Sequence, residues 1–350
     1  MTSTLTWLRV NLFSSWTNGL LTVLVLGLFW LVIPPLLDWA IFNATLNAAT
    51  KAQCAADGAC WAFIKQRFAL FFYGRDPAAE RWRVDLSAVL LVVFLVPAMM
   101  DGVRHRWVAV VALVGVYPII AALLMAGGVF GLPWVDTEYW GGLMLNTVLS
   151  FVAIAGSLPL GIVLALGRRS RLPLVRYACI GFIELWRGVP LLTVLFMAMV
   201  MMPLFLPGGV TVDKLVRALI ALTLFTAAYM AEVIRGGLQG VPRGQEEAAR
   251  SLGLGYWRTQ GLVVLPQAIR LVVPGIVNTV VDLYKDTTLV TIVGLFDLLG
   301  VVNQSLKDSA WLGMAKEGYA FAAALFFVIC WGMSLYSRKV ERRLARATAR

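Results

Sequence analysis

Residues 232–266 decide the fold, and they read EVIRGGLQGVPRGQEEAARSLGLGYWRTQGLVVLP. The stretch is polar and rich in glycine, and a long apolar run lies on each side of it. Pro242 fits the start of a helix, and Glu246 and Glu247 suit its first turn because the helix dipole favours negative charge there. Gly253 then allows the backbone to reverse. The pattern predicts a short helix that protrudes between two apolar helices.

The chain around this stretch is far more apolar than a soluble protein. Of its 350 residues, 60% are hydrophobic and 14% are charged, whereas a soluble domain has about 45–50% apolar and about 25% charged residues. The net charge is +11, but the basic residues lie in short clusters between apolar runs. Such clusters are typical of the positive-inside rule and of contact with anionic lipid. The composition predicts an integral membrane protein with no nucleic-acid partner.

Eight apolar runs are long enough to be membrane spans, since a helix needs about 20 apolar residues to cross the hydrocarbon core. The fifth run is broken near Gly188 and Pro190, so we expect two helical pieces there. The predicted fold is all-α, with a block of five spans preceded by three extra spans. The runs are 15–37, 86–100, 107–128, 143–166, 177–206, 215–234, 266–284 and 319–336.

The sequence divides at the turn formed by residues 131–134, Gly-Leu-Pro-Trp. Residues 1–130 contain an interfacial segment, three spans and a long polar loop, residues 140–340 contain five spans with the polar loop 235–262, and residues 341–350 form a basic tail. Lys and Arg are concentrated in the loops on the side that carries both termini. The positive-inside rule therefore predicts that both termini are cytoplasmic.

Few residues are available for metal binding or for hydrolysis. His105 is the one histidine and there are four cysteines, which is too few for a histidine-rich metal site. Ser157 has no histidine partner, which argues against an intramembrane hydrolase. Cys54 and Cys60 lie in a polar loop between spans, and we predict a disulfide there if the loop faces an oxidising compartment.

The protruding stretch resembles the signature cytoplasmic loop of ABC importer permeases. The match consists of Glu247-Ala-Ala, then Gly253 after three residues, and finally Leu265-Pro266, with Val263 where isoleucine is usual. The resemblance implies that the loop forms coupling helices that seat in a groove of a nucleotide-binding subunit. The coupling residues are then Gly244, Glu246, Glu247, Ala248, Ala249 and Gly253.

The five-span block resembles, more narrowly, the permeases of the polar amino acid (histidine/glutamine-type) family. The segments that begin at Asn146 (NTVLS), Glu184 (ELWRGVPL) and Lys285 (KDTTL) match theirs, with Thr288 where serine is usual. In its extra amino-terminal spans and its loop beginning at Gly58 (GACWAF), the chain is similar to the longer permease subunit of broad-specificity general L-amino acid importers.

This resemblance implies a permease subunit that moves L-amino acids from the periplasm to the cytoplasm across the bacterial inner membrane. It also implies a second homologous permease subunit in a heterodimer, an ABC ATPase dimer and a periplasmic amino-acid-binding protein. The chain contains no Gly-x-x-x-x-Gly-Lys-[Ser/Thr] phosphate loop. We therefore expect ATP and Mg²⁺ to bind to the partner ATPase, and no cofactor in this chain. The alternative is an ion-coupled secondary amino acid transporter, which needs an ion site and no ATPase.

Ionisable residues within the spans are costly in lipid unless they are paired or hydrated, so we expect them to face the bundle interior. Glu184 and Arg187 are three residues apart, and they can either form an intrahelical ion pair or meet the two ends of a zwitterionic substrate. Uncharged polar residues can bond either a neighbouring helix or the cargo. The candidates for the substrate pathway or gate are Asn146, Thr147, Glu184, Arg187, Tyr229, Glu232, Asn278, Lys285, Asp286 and Thr287.

Overall fold

The computed structural model describes residues 4–100, 106–205, 207 and 211–348, and this part of the chain is helical with no β-sheet. Three parts of the sequence predictions lie outside the described residues. They are His105, residue 206 at the end of the fifth predicted run, and the side chains of the basic tail from residue 343 onward. The predicted all-α class is confirmed.

Seven helices of the described chain are long and apolar enough to cross a membrane, or eight if one bent pair counts as a single broken span. The pair is Pro173–Gly188 and Leu191–Phe205, and its two helices meet at 103°. Between them Val189 is extended, with φ −110° and ψ 136°, because the residue before a proline avoids the helical conformation. The eight predicted runs and the break in the fifth are therefore confirmed. The seven unbroken helices that are long and apolar enough to cross a membrane are Trp16–Phe42, Arg81–Met99, Trp107–Ala126, Gly142–Arg168, Lys214–Gly240, Tyr256–Val293 and Ala315–Arg342.

Six α-helices are described before residue 130. They are α1 (Thr4–Asn11), α2 (Trp16–Leu37), α3 (Trp61–Tyr73), α4 (Arg81–Met99), α5 (Arg106–Val111) and α6 (Tyr117–Ala126). A π-helical turn at Asp38–Phe42 extends α2, another at Ala112–Val116 joins α5 to α6, and 3₁₀ turns occupy Lys51–Gln53 and Thr137–Tyr139. Helix α2 begins where the Ser15 side chain accepts a hydrogen bond from the Asn18 amide, which satisfies one of the free donors of the first turn.

Ten α-helices follow in the rest of the described chain. They are α7 (Gly142–Arg168), α8 (Pro173–Gly188), α9 (Leu191–Phe196), α10 (Met202–Phe205), α11 (Lys214–Gly240), α12 (Arg243–Ser251), α13 (Tyr256–Arg258), α14 (Leu265–Asp286), α15 (Leu298–Ser305) and α16 (Ala315–Thr348). π-helical turns at Met197–Met201 and Thr259–Val264 join α9 to α10 and α13 to α14, and 3₁₀ turns lie at Thr287–Val293 and Ser309–Trp311. The seventh span therefore begins at Tyr256, earlier than the predicted start at residue 266.

The chain forms two compact units. One consists of Met1–Phe68 with Ser305–Phe321, and the other of Ala69–Gln304 with Ala322–Arg350. These units follow packing and do not coincide with the division of the sequence at residues 131–134, which stays a prediction.

In the smaller unit, a loop is held by covalent, ionic and hydrogen bonds. Cys54 and Cys60 form a disulfide, and the Cys60 amide donates to the buried carboxylate of Glu317 at 3.3 Å. Arg67 pairs with Asp308. These bonds attach the loop after α2 and the helix that follows it to the start of α16 and the segment before it.

In the larger unit, α11 packs between α7 and α14. Glycines allow the close approach: a Cβ at Gly161 of α7 would lie 2.9 Å from Met230 of α11, and a Cβ at Gly237 would lie 2.5 Å from the carbonyl of Ala268 in α14. Small residues at such crossings are typical of helices that associate in membranes, where packing replaces the hydrophobic effect. This three-helix centre positions the polar groups described below.

Candidate functional site

The protruding stretch forms the predicted short helix. Helix α12 begins after Pro242, and Glu246 lies in its first turn. Glu246 also pairs with Arg250 one turn later at 2.5 Å. The helix ends at Ser251, and Gly253 follows it with a φ of +81° and an amide that donates to the Arg250 carbonyl at 2.9 Å. The left-handed glycine closes the helix because a residue without Cβ adopts this conformation at no steric cost.

One face of α12 contacts a continuous helical rod that consists of α13, the π-helical turn at Thr259–Val264 and α14. Ala249 is buried, and the hydroxyl of Thr259 donates to the Leu254 carbonyl at 3.2 Å. At the other end, the Gln267 side chain donates to that of Gln245 at 3.3 Å. These contacts hold α12 and the turn after it against the segment that continues into α14.

The other face of α12 and the turn after it are exposed. Glu247 and Ala248 face solvent, and the side chains of Leu252 and Trp257 are 82% and 75% exposed. We call these four residues the protruding surface. It combines a charge with large apolar groups, and such a combination suits contact with another protein.

Behind this loop, charged side chains from three helices form an ionic cluster. Glu232 of α11 lies at its centre, with its carboxylate 3.2 Å from Arg168 of α7, 3.9 Å from Arg187 of α8 and 2.8 Å from Arg235 one turn on. Arg168 also lies 3.2 Å from Glu184 of α8. The cluster joins the ends of α7, α8 and α11 by charge.

The cluster bears on the first of the two interpretations of Glu184 and Arg187, the intrahelical ion pair. The structure pairs Glu184 with Arg168, not with Arg187 on its own helix, so the intrahelical pair is not formed in the described chain. The reason is that α7 and α11 bring opposite charges closer than the helix spacing does. Arg187 instead lies over the ring of Tyr229 at 5.6 Å, a cation–π geometry. Arg168 was not among the pathway candidates predicted from the sequence. Its position in a group of basic residues at the end of a span was a signal that could have identified it.

Tyr229 connects the ionic cluster to a polar cavity of about 410 Å³ between α11 and α14. The cavity is lined by Tyr229 on α11 and by Asp282, Lys285 and Asp286 on α14. Lys285 and Asp282 form an ion pair at 2.9 Å, and both side chains are more than half exposed. The cavity thus presents both signs of charge beside an aromatic ring.

Asn146 and Thr287 lie elsewhere, in a buried network. The Asn146 amide group donates to the Thr287 hydroxyl at 2.8 Å and to the Asp297 carboxylate at 3.1 Å, and its oxygen accepts from the Leu298 amide at 2.9 Å. Asn146 and the three residues that it contacts are all fully buried. The contacts favour the packing interpretation for Asn146 and Thr287.

Asp297 was not among the sequence candidates. It accepts from the Gly300 amide at 2.9 Å and from Thr291, so it caps the start of α15. Burial raises the pKa of the Asp297 carboxyl above its ordinary value, and its hydrogen bonds offset part of that rise. An aspartate directly before an apolar run is the capping signal that could have identified it.

Two further candidates are separate from these groups. The Thr147 hydroxyl donates to the Leu143 carbonyl of its own helix at 2.9 Å, and Asn278 is exposed on α14. The structure therefore distributes the ten pathway candidates among the ionic cluster, the polar cavity, the buried network and these two positions.

Comparison with known proteins identifies similar chains. The model of the family described as "Binding-protein-dependent transport system inner membrane component" matches residues 157–346. The chain is 53% identical to the inner membrane amino-acid ABC transporter permease protein YhdY of Escherichia coli (strain K12), over 96% of this chain and 92% of that protein. It is 38% identical to the glutamate/glutamine/aspartate/asparagine transport system permease protein BztC of Rhodobacter capsulatus, over 97% of this chain and 93% of that protein.

A solved structure also resembles part of the chain. It is described as the crystal structure of an amino acid ABC transporter with histidines, and the matched chain has a TM-score of 0.51 and 30% sequence identity. The match covers 58% of this chain and 92% of the other. It is shorter than the match to the two relatives, which extends over nearly all of this chain.

Proposed function

Because the chain belongs to the family of binding-protein-dependent transport system inner membrane components, we propose that it is the permease subunit of an ATP-driven ABC importer for L-amino acids. The observation that carries this proposal is the 53% identity to an amino-acid ABC transporter permease along almost the whole chain. The relatives give no support to the ion-coupled alternative. The name of the second relative includes both acidic amino acids and their amides, which supports broad specificity.

The protruding surface supports contact with an ATPase subunit. It is exposed on one side, and α12 is bonded to the rod that continues into α14 on the other. Closure of an ATPase dimer around ATP and Mg²⁺ would press on Glu247 and Leu252 and move α14, which lines the polar cavity. This transmission is a two-state change driven by contacts made in one state only. In this proposal nucleotide and metal bind to the partner, and this chain holds no cofactor.

The polar cavity suits the passage of a zwitterion. Lys285 is placed to attract a carboxylate and Asp286 an ammonium group, while Tyr229 offers a ring face to either an apolar side chain or a cation. Since the charges of the site are partly exposed to solvent, a bound amino acid gains little from each contact and leaves quickly. We propose this cavity, with Arg187 and Glu232 beside it, as part of the translocation path.

The remaining partners and the orientation follow from the same role. We propose that a second homologous permease completes the path as a heterodimer, and that a periplasmic binding protein delivers the amino acid. Both termini are then cytoplasmic in the bacterial inner membrane, so that α12 meets the ATPase. The basic residues at the ends of α7 and α11 support this orientation.

The test is reconstitution of the chain, with the subunits that co-purify with it, in lipid vesicles. A panel of L-amino acids and the matching binding protein should stimulate ATP hydrolysis and uptake together. A catalytically inactive ATPase subunit serves as the control and should abolish uptake while the complex stays intact. Full uptake in vesicles that lack the ATPase, driven by an ion gradient, would refute the proposal.

A further inference from the structure

Five arginines line one cavity of about 450 Å³ at the ends of α7, α8, α11 and α12, and among the described residues no acidic side chain lines it. We call it the arginine cavity. Its arginines are Arg168, Arg169, Arg176, Arg235 and Arg243. It is separate from the protruding surface, since none of the four residues of that surface lines it.

Most of the positive charge in the arginine cavity is uncompensated. Arg168 and Arg235 pair with Glu232 of the ionic cluster. Arg169 donates to the carbonyl of Leu238 at 3.3 Å, a neutral group. Arg176 and Arg243 are exposed, and within the described ranges neither has an ion pair. Like charges that converge on a concave surface repel one another and raise the local concentration of anions.

The chemistry and the position of the cavity identify the anion. A guanidinium group forms two parallel hydrogen bonds to phosphate oxygens and is weakly hydrated, so arginine clusters favour phosphate. The cavity lies where the spans Gly142–Arg168 and Lys214–Gly240 end, which is the level of lipid headgroups. Ile180, which is half-buried, lines it as well, and it offers an apolar contact to the first carbons of an acyl chain.

We propose that the arginine cavity binds the phosphate group of an anionic phospholipid. The assignment to the cytoplasmic leaflet rests on the proposed function, whereas the binding itself does not. Arg243 is the first residue of α12, so the bound phosphate holds the start of this helix to α7 and α8 by removing the repulsion between their arginines. An anionic lipid therefore stabilises the loop that carries the protruding surface.

The test compares two double variants that lose the same charge on the same side of the protein. R176Q/R243Q removes the two unpaired arginines of the cavity. The matched control R171Q/R258Q removes two exposed arginines that do not line it. All four side chains are exposed, so neither variant opens a buried space. The delipidated complex is titrated with phosphatidylglycerol, with phosphatidylcholine or with inorganic phosphate, and the bound lipid is counted by native mass spectrometry.

We expect phosphatidylglycerol to bind the unmodified complex and raise its unfolding temperature, while phosphatidylcholine does so much less. In R176Q/R243Q the affinity should fall about tenfold or more, because two charge-assisted contacts that converge on the same phosphate are lost. In R171Q/R258Q it should fall by less than about threefold, because these arginines do not converge on one phosphate. If inorganic phosphate stabilises the complex equally and needs the same arginines, the phosphate site stands and its source is soluble phosphate, not lipid.

Three results would overturn the proposal. An equal loss in both double variants would mean diffuse attraction to the membrane. Equal binding of phosphatidylglycerol and phosphatidylcholine would mean that charge is not recognised. Loss of the ATPase subunit from R176Q/R243Q with unchanged lipid counts would assign the arginines to a protein contact. None of these measurements requires transport, so failure of the proposed importer function would be recognised separately.

Discussion

Glu246 and Glu247 are adjacent in the sequence but have different surroundings. Glu246 forms an ion pair with Arg250 on the same helix, α12. Such a pair contributes about 0.3–0.5 kcal/mol to the stability of the helix. Glu247 faces solvent beside the buried Ala249. Of the two carboxylates, Glu247 is therefore the one available to a partner, and a change there tests the protruding surface without disturbing the helix.

Glu247→Lys should reduce retention of the ATPase subunit and uptake by about tenfold or more, because a partner surface that attracts the Glu247 carboxylate would meet a like charge after the reversal, and like-charge contacts at an interface cost several kcal/mol. The chain should still reach the membrane, since nothing buried changes. The measurement is the amount of ATPase that co-purifies, together with uptake in vesicles. Glu341→Lys, an exposed reversal near the carboxyl end of α16, is the matched control and should leave both unchanged. Normal transport by E247K would remove the coupling role from this residue.

Asp297 should matter for stability rather than for transport chemistry. It accepts hydrogen bonds from Asn146, Thr291 and Gly300. Asp297→Ala removes all three and leaves the buried Gly300 amide without this partner, while Asn146 keeps its bond to Thr287. Each lost bond to a charged group costs about 1.5–3 kcal/mol, so the unfolding temperature in detergent should fall clearly. Asp213→Asn, which changes an exposed carboxylate that caps α11, is the control and should cost much less.

The Asp297 carboxyl also predicts a dependence of stability on pH. Burial raises its pKa in the folded chain, so the folded state holds the proton more tightly than the unfolded state. The free energy of unfolding should therefore fall as the pH rises from the ordinary carboxyl range through the raised value. Asp297→Asn cannot ionise and should show a smaller fall over that window in thermal unfolding measured at several pH values. An unchanged slope in D297N would assign the pH dependence to other groups.

At the scale of elements, α12 depends on the backbone of the turn that ends it. Gly253 has a φ of +81°, and in the described chain no neighbouring atom lies within 4 Å of an added Cβ, so a side chain there is disfavoured by conformation alone. Gly253→Val should cost about 1–2 kcal/mol at this turn and displace the protruding surface. Uptake and ATPase retention should both fall, while helical content measured by circular dichroism stays close to that of the unmodified chain.

Gly255→Ala provides the comparison for Gly253→Val. Gly255 has a φ of −66°, and the described residues leave open space around it, so alanine fits. This variant should transport normally although it lies in the same turn. If G255A and G253V were equally impaired, glycine flexibility throughout the turn, and not the left-handed cap, would be the requirement.

The sequence was sufficient to predict the spans, but not the shorter helices α3 and α15 or the connections between helices. Hydropathy and proline predicted the eight runs and the break at Pro190, because membrane insertion and the missing amide are local effects. The continuous rod from Tyr256 was not predicted, since a π-helical turn at Thr259–Val264 connects α13 to α14 before Pro266. Nothing in a hydropathy pattern distinguishes such a turn from a loop that precedes a span.

At the scale of the whole molecule, the sequence identified polar residues without identifying their partners. The choice of Arg168 over Arg187 as the partner of Glu184, and the contact of Asn146 with Asp297, depend on helices that are distant in the sequence. Helix spacing predicts only neighbours on the same helix, such as Glu232 and Arg235, which lie three residues apart and do pair. These long-range partners follow from the packing of α7 against α8 and against the start of α15.

The disulfide tests the orientation of the whole chain. Cys54 and Cys60 are bonded to each other, and a disulfide persists in the periplasm but is reduced in the cytoplasm. With Cys179 and Cys330 replaced by serine, a membrane-impermeant thiol reagent added outside should label the two cysteines only after reduction. In the same background, Ser251→Cys at the end of α12 should be labelled only from the inside, because the proposed function places α12 on the cytoplasmic side with the ATPase. Labelling of Cys54 and Cys60 from the cytoplasm, with the thiol of the S251C variant reached from outside, would reverse the orientation and place the protruding surface where no nucleotide-hydrolysing subunit can reach it.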